Sequence, residues 1–297
     1  MNTEISRIDT NNYENMSKLM GMGADVGEKK QSSTLGRLKI QHSPIMGEVE
    51  VKGKKTQAAL VSGGVYKFDD LAAEKVYYAD KVSIRPFVQR FMYKKYVKPE
   101  HENGYYIKTV MSENLNLDLK DTMGGFNCGK PAGYIKDFDA LPEPMKQKIK
   151  GIKRVRTIFG MLNLDSPVDS NGDAVKDYPK DVPFIWEIDN RDAFKIMGEP
   201  ISKVGSWKHL PIQHNIKLET VERKLNNGSS FYLPTVDLVK DTVEIEDSDH
   251  ALFDDFMQWI KNYNVWVFNE FSKKAEEADQ EINGEDAQLV EQFVSVD

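Results

Sequence analysis

The sequence predicts a mainly β fold with peripheral helices, ending in a long helix and an acidic tail. Between about residues 48 and 238, five or more short segments have strand-like composition and are bounded by turn residues, which favours a small barrel or sandwich. Residues 248–278 change to helical spacing. The net charge of −7 is unevenly distributed: residues 81–160 hold sixteen Lys or Arg against eight Asp or Glu, whereas residues 241–297 hold three against sixteen. This segregation suggests a basic surface for a polyanion and a separate role for the tail.

Composition limits the class of protein. With 297 residues, the chain suits one large domain or two small ones. We expect no membrane span, because no apolar run of about eighteen residues occurs, and no signal peptide, because the first residues lack an apolar core and a cleavage site. Cys128 is the only cysteine, which rules out an internal disulfide and disfavours a thiolate zinc site. These features are typical of a reducing compartment.

The first elements follow a polar N-terminal segment. Residues 1–46 are rich in Gly, Asn and Ser, and we expect a flexible basic arm with little core of its own. The segments EVEV, QAALV and VYKF, separated by KGKK and GG, predict short strands joined by tight turns. The next strands are expected at residues 84–97 and 105–111, with Asn103-Gly104 as a tight turn between them.

The middle of the chain predicts two more strands and a short helix. After a loop-rich segment, residues 112–144, strands are expected at residues 153–164 and 183–188. Residues 190–197 predict a helix with Asn190 as its N-cap and Gly198 as its stop.

The C-terminal part predicts a hairpin, a long helix and a tail. Residues 211–225 and 229–236 form a hairpin candidate around Asn227-Gly228. In the helix predicted over residues 248–278, apolar residues recur every three or four positions, so we expect one face to pack on the sheet. Residues 276–297 carry eight carboxylates and no Lys or Arg, and we expect them to be unfolded until they meet a partner.

Motifs for catalysis and metal binding are incomplete. GGFNCGK has the G-x-x-x-x-G-K spacing of a P-loop, but Pro131 stands where Ser or Thr would hold magnesium, so we interpret it as a glycine-rich turn near the binding surface. The histidines are scattered, and the spacing of Asp165, Asp169 and Asp173 departs from a calcium loop. The carboxylates of WEIDNRD would suit a metal-dependent nuclease, but a strand end followed by a helix cap explains them more simply. We therefore expect no enzyme, no metal and no cofactor.

Two basic segments carry the clearest functional signal. RPFVQRFMYKKYVK, residues 85–98, holds five basic and four aromatic side chains without a carboxylate. KQKIKGIKRVRTIFG, residues 146–160, holds six basic residues and no acid. Rings and cations on one exposed face suit unpaired nucleic acid, because bases stack on the rings while Lys and Arg follow the backbone.

Strand alternation assigns these side chains to faces. In the first segment, one face is expected to carry Arg85, Phe87, Phe91, Tyr93 and Lys95, and the other Ile84, Val88 and Met92. In the second, Arg154 and Arg156 share a face opposite Val155, Thr157 and Phe159. The candidate DNA-binding residues are Arg85, Phe87, Arg90, Phe91, Tyr93, Lys94, Lys95, Tyr106, Lys150, Lys153, Arg154 and Arg156.

The order of these pieces resembles the single-stranded DNA-binding (helix-destabilising) proteins of tailed bacteriophages, over roughly residues 28–297. KKQSST is similar to the Lys/Arg-Ser-Thr element of the family's basic arm, VSIRPFVQRFMYKKYV with GYYIKTVM to its first core strands, and KGIKRVRTIFGMLNL to the basic strand that lines its cleft. VPFIWEIDNRDAFKIMG and LPIQHNIKLETVERKL are similar to a strand–helix segment and a late core strand. The best-known members hold zinc with His and Cys ligands, where this chain has only Cys128, so the resemblance implies a metal-free loop there.

The resemblance also implies a fold and a function. The fold would be an OB-fold-like small β-barrel over residues 47–240, between the arm of residues 1–46 and the helix and acidic tail of residues 241–297. The function would be sequence-independent binding of single-stranded DNA in phage replication or recombination, in the cytoplasm of the bacterial host. A phage structural or assembly protein with a basic interaction surface is the main alternative, and duplex-binding regulators and nucleases are further ones.

The two termini are expected to bind proteins. In the arm, Lys29, Lys30 and Arg37 would contact a neighbouring protomer and make binding along DNA cooperative. The apolar tail residues Leu289, Val290, Phe293 and Val294 would recruit a phage replication or recombination protein. The tail carboxylates would also compete with DNA for the basic cleft, because a tethered segment acts at a high effective concentration.

Overall fold

Eleven strands and four α-helices make up the described part of the chain. A computed structural model describes residues 35–51, 53–99, 103–132, 135–225 and 228–294, with the side chains of these residues except Val51 and those after Glu277. The strands are β1 (Gly36–Gln41), β2 (Ile45–Val51), β3 (Lys54–Val61), β4 (Val65–Asp70), β5 (Lys75–Ala79), β6 (Lys81–Val97), β7 (Tyr105–Lys108), β8 (Ile152–Asp165), β9 (Val182–Ile188), β10 (His214–Lys224) and β11 (Ser230–Thr242). The helices are α1 (Glu143–Ile149), α2 (Arg191–Ile196), α3 (Gly198–Ser206) and α4 (Asp247–Val294), with short 3-10 helices at Asn127–Gly129 and Pro211–Gln213.

Nine strands form one large mixed sheet. Its order is β11-β10-β6-β8-β9-β1-β4-β5, and β7 pairs with the end of β6. The pairing of β1 with β9 is parallel, and the other pairs of this sheet are antiparallel. Strands β2 and β3 form a separate two-stranded sheet. The prediction of a mainly β protein with a C-terminal helix is confirmed.

The large sheet curves around a core but does not close. Buried side chains from β1, β4, β5, β6, β8, β9, β10 and β11 form this inner core with those of α2 and α3. The Tyr66 hydroxyl of β4 donates to the carbonyl of Glu219 in β10 at 3.1 Å, and the Thr220 hydroxyl donates to the carbonyl of Gly64. Side chains therefore join β4 to β10, whereas in the described residues no strand pairing joins them. The sheet is not a closed barrel.

Strand β6 organises the sheet because it pairs with three other strands. Its beginning pairs with β10, residues 81–95 pair with β8, and its end pairs with β7. The register with β8 shifts between Pro86 and Val88, where proline has no N–H to donate to the ladder. Ile84 lies in the inner core, whereas Val88 and Met92 belong to the core on the other side of the sheet. The prediction that these three residues share one face is therefore wrong, because the extra residue reverses the alternation.

Helix α4 covers the second face of the sheet. Phe256 and Ile260 pack there against Phe87 and Phe159. The Tyr263 hydroxyl donates to the carbonyl of Thr109 at 3.0 Å. This confirms the predicted packing of an apolar helix face on the sheet. Among the described residues, no helix is both long and apolar enough to cross a membrane.

The C-terminal segment is more helical than its composition suggested. Helix α4 continues to Val294, through most of the segment that we expected to be unfolded. Residues 276–294 are rich in Glu, Ala and Gln, which are good helix formers, and extending an existing helix needs no new nucleation.

The N-terminal boundary and one turn also differ from prediction. Strand β1 lies within the expected arm, and Arg37 is part of it, next to the buried Leu38 and paired with β4 and β9. Arg37 therefore belongs to the sheet, while Lys29 and Lys30 lie outside the described residues. Strands β6 and β7 are separated by residues 98–104, so Asn103-Gly104 is not a two-residue turn. The hairpin of β10 and β11 is confirmed.

Candidate nucleic-acid interface

Two arginines of β8 and two phenylalanines form a cationic and aromatic cluster on the inner face of the sheet. The guanidinium groups of Arg154 and Arg156 lie 5.4 and 4.6 Å from the ring centroid of Phe194, and Arg156 lies 5.0 Å from that of Phe91. The two phenylalanine rings are 5.9 Å apart. We call Phe91, Arg154, Arg156 and Phe194 the arginine face. Both arginines lie on one face, as the alternation of β8 predicts.

The local sequence explains how Phe194 reaches this face. Asn190 follows β9 and caps α2, as predicted: its side-chain oxygen accepts the N–H groups of Asp192 and Ala193 at 2.9 and 3.0 Å. This cap starts the helix directly after the strand. Phe194 therefore lies in the first turns of α2, next to β8.

Arg156 is a buried cation whose described hydrogen-bond partners are neutral. Only 9% of the residue is exposed. Its Nε donates to the carbonyl of Phe194 at 3.1 Å, and Nη1 donates to the side-chain oxygen of Gln89. Burial lowers the pKa of Arg156 to about 10. Gly198 makes room for this side chain, because a Cβ there would lie 2.5 Å from Nη2.

Arg154 is exposed and has a second cation nearby. Burial and the charge of Arg154 both lower the pKa of Lys130, so the two cations destabilise each other electrostatically. The ammonium of Lys130 lies 5.2 Å from the ring centroid of Tyr93 and donates to the carbonyl of Pro131 at 2.8 Å. Arg154 makes no ion pair with a described residue. Nearby positive charges of this kind attract an anion.

A second group of cations is already paired with carboxylates. The ammonium of Lys94 lies 3.6 Å from Glu187 and 3.1 Å from Asp189, Lys108 lies 3.5 Å from Glu187, and Lys153 lies 3.2 Å from Asp189. Burial alone would lower the pKa of Lys94, but the two carboxylates raise it overall. Burial alone would raise the pKa of Asp189, but Lys94 and Lys153 hold it below its usual value. Three lysines and two carboxylates leave this group with a modest positive charge.

The same ion pairs involve the carboxylates of the WEIDNRD segment, which would suit a metal-dependent nuclease. Glu187 and Asp189 bind lysines, and within the described ranges no group of three His, Cys, Asp or Glu side chains is arranged to hold a metal.

Several predicted ring contacts are not available on the surface. Phe87 is 8% exposed and packs edge-on against Phe256 of α4, with ring centroids 5.6 Å apart. Tyr93 is 1% exposed, and its hydroxyl donates to the carbonyl of Leu115 at 3.2 Å. Both were predicted to stack on bases. Because α4 and the loop after β7 cover them, they are core residues.

Other predicted cations have structural partners. Arg85 forms a bidentate pair with Asp249 of α4, at 2.7 and 3.0 Å. Arg90 donates to the carbonyl of Gln89, and Lys95 donates to the carbonyl of Lys148 at 2.9 Å. Lys150 and Tyr106 are exposed.

Three residues of this region were not among the predicted DNA-binding residues. Phe194 underlies both arginines, Lys130 lies close to Arg154, and Tyr96 contacts Tyr106 across β6 and β7. Tyr96 could have been found from the ring-rich segment that contains it. Phe194 comes from another part of the chain, and no local pattern indicates its contact with β8. Lys130 ends the GGFNCGK segment, which we interpreted as a turn near the binding surface, but its position close to Arg154 was not predicted.

The P-loop-like segment binds a carboxylate of the protein itself. The backbone N–H groups of Met123, Gly125 and Cys128 donate to the Asp121 carboxylate at 2.9, 3.1 and 3.0 Å. Burial and Asp121 raise the pKa of the Cys128 thiol to about 12, so this cysteine is protonated at neutral pH. The backbone N–H groups that would bind a phosphate in a P-loop therefore already donate to the carboxylate of Asp121.

Comparison with known proteins adds no relative. No family model, no curated protein and no solved structure matches the chain. The resemblance to phage single-stranded DNA-binding proteins therefore stays a prediction.

Proposed function

We propose that the chain binds single-stranded DNA without sequence preference, through the arginine face, in phage DNA replication or recombination in the host cytoplasm. The observation that carries this proposal is the pair Arg154 and Arg156, whose guanidinium groups share the ring of Phe194 without a carboxylate partner among the described residues. A phosphate supplies the missing negative charge, and a base stacks beside the rings. Duplex DNA gains less from such a surface, because its base faces are already stacked.

The OB-fold-like character of the sheet belongs to the same proposal. What supports it is the curvature of β1, β4, β6, β8, β9 and β10 around one core, together with the contact of Tyr66 with β10. The arginine face lies on this inner side, between the sheet and α2. Open barrels of this kind bind single strands across their strands.

The test is a titration of the full chain with a dT oligonucleotide and with a duplex of equal length, over a range of salt concentrations. We expect preference for the single strand. Arg154→Gln should weaken binding and reduce the slope of log affinity against log salt by about 0.7, the value for one phosphate contact of a single strand. Arg154 is chosen over Arg156, because Arg156 also holds backbone and side-chain groups of the core.

The matched control is Arg223→Gln. Arg223 is an exposed arginine of β10 without a described ion pair, so its replacement changes the net charge equally. It should leave the salt slope unchanged. Equal binding of duplex and single strand, or an unchanged slope in Arg154→Gln, would remove the arginine face as the site.

A role in assembly is the second candidate, and the β2–β3 hairpin favours it. This hairpin is separate from the large sheet, and Met46 is exposed on it, while Leu60 is half-buried. Such a projection suits contact with another subunit. Sedimentation of the chain without DNA distinguishes the two functions, since higher-order assembly in the absence of DNA favours the assembly role.

A further inference from the structure

Tyr96 and Tyr106 form an exposed aromatic pair at the end of the β6–β7 ladder. They are direct cross-strand partners, their ring centroids are 5.0 Å apart, and each residue is 51% exposed. We call them the tyrosine pair. Most large rings of the described sheet are buried in one of its cores, so two half-exposed rings in contact form an uncommon apolar surface.

Contacts with Lys94 and Gly104 hold the two rings in place. The ammonium of Lys94 lies 5.2 Å from the ring centroid of Tyr106 and is fixed by Glu187 and Asp189. Gly104 approaches Tyr96 so closely that a Cβ there would lie 2.0 Å from the tyrosine hydroxyl. Preorganised rings lose little conformational entropy when a ligand binds.

The tyrosine pair and the arginine face lie on opposite faces of the sheet. Side chains alternate along a strand, and no register shift interrupts β6 between Val88 and Val97, so Tyr96 points away from the side of Phe91. The two sites are nevertheless close to each other along the direction of strand β6. Arg154 is the cross-strand partner of Tyr93, which is three residues, or about 10 Å, from Tyr96.

We propose that the tyrosine pair is a second nucleobase-stacking site, which takes one or two unpaired bases of a strand that passes over the end of β6 from the arginine face. This inference rests on the proposed function. The occupant fits the charge of the surroundings, because the exposed Lys98 follows β6 and Lys153, 55% exposed at its side chain, lies beside Lys94. A polyanion with flat apolar bases matches rings flanked by lysines.

The experiment compares the full chain with Tyr96→Leu/Tyr106→Leu on a dT oligonucleotide of about 16 nucleotides. Loss of stacking should weaken binding about 5- to 150-fold for each stacked base, and the salt slope should stay unchanged because no cation is removed. On an abasic oligonucleotide of equal length, the two proteins should bind equally. Tyr96→Phe/Tyr106→Phe should restore the affinity for dT, since the rings are kept.

The matched control is Tyr105→Leu, because Tyr105 is an exposed neighbour, 39% exposed, that alternation directs to the other face of β7. It should bind dT like the unchanged chain.

If Tyr96→Leu/Tyr106→Leu also binds like the unchanged chain while Arg154→Gln is weakened, the stacking site is wrong and the proposed function stands. If the double leucine variant instead dissociates a dimer of the unchanged chain in sedimentation, the tyrosine pair is a protein contact. If the unchanged chain binds no oligonucleotide at low salt, both proposals fail.

Discussion

Replacing Asp249 with Asn should undock the beginning of helix α4 from the sheet. The carboxylate of Asp249 binds Arg85 at 2.7 and 3.0 Å, and the two side chains are 9% and 17% exposed. It also accepts the backbone N–H of Glu246 at 3.0 Å. Breaking a buried ion pair by removing one partner destabilises a protein by roughly 3–5 kcal/mol, and an exposed pair contributes at most about 1 kcal/mol. With both groups mostly buried, we expect Asp249→Asn to lower the free energy of unfolding by about 3 kcal/mol.

The measurement is urea unfolding at pH 7, followed by tryptophan fluorescence, because Trp259 lies on α4 with its ring 5.4 Å from that of Phe159. Asp254→Asn is the matched control, since Asp254 is an exposed residue of the same helix. If the two variants unfold within about 0.5 kcal/mol of each other, the Arg85–Asp249 pair does not anchor the helix.

The pH dependence provides an independent check of the same pair. Burial alone would raise the pKa of Asp249, but the hydrogen bonds from Arg85 and Glu246 lower it overall. A carboxyl group whose pKa is lower in the folded state stabilises the protein fully above its unfolded pKa, about 3.9, and loses this effect as the pH falls through the folded pKa. The difference between the unchanged chain and Asp249→Asn should therefore be constant near neutral pH and shrink only in acid.

Two further predictions concern the termini. Deleting residues 1–34, which leaves β1 intact, should reduce cooperative binding along a long single strand but hardly change the affinity for one short oligonucleotide; an equal loss on both would mean that the segment binds DNA directly. Truncation after Lys274 should tighten single-strand binding most at low salt, where the competing carboxylates are least screened, and unchanged affinity at low salt would exclude competition by the tail.

The alternation of side chains along a single strand was predictable from the sequence, but its interruption in β6 was not predicted. In β8 the alternation correctly groups Arg154 with Arg156, because the pairing with β6 is regular there. In β6 the shift at Pro86 reverses the pattern, so Phe87 packs under α4. A proline within a strand is itself a signal of a bulge, and it could have limited the prediction to the residues after Val88.

The exposure of the predicted site residues could not be read from the sequence, because it depends on contacts between distant segments. The ring pattern of β6 does not show which rings another element covers, and Tyr93 is buried by the loop that follows β7. Strand β1 shows the reverse problem: its alternation of Arg37 and Lys39 with Leu38 is strand-like, but the polar residues before it suggested an arm. Local patterns therefore predicted most of the strands and helices, while the surface of the site depended on tertiary packing.

The position of α4 also determines when the protein can fold. The core on the second face of the sheet joins Phe87 and Phe159 to Phe256 and Ile260, which are about a hundred residues or more further along the chain. Contacts of such long sequence separation form slowly. During synthesis, β6 and β8 emerge from the ribosome well before the helix that covers them, so the nascent chain exposes an aromatic surface until α4 is made. Chains that stop between Thr242 and Val267 should for this reason aggregate or require a chaperone, even though every strand of the sheet is present.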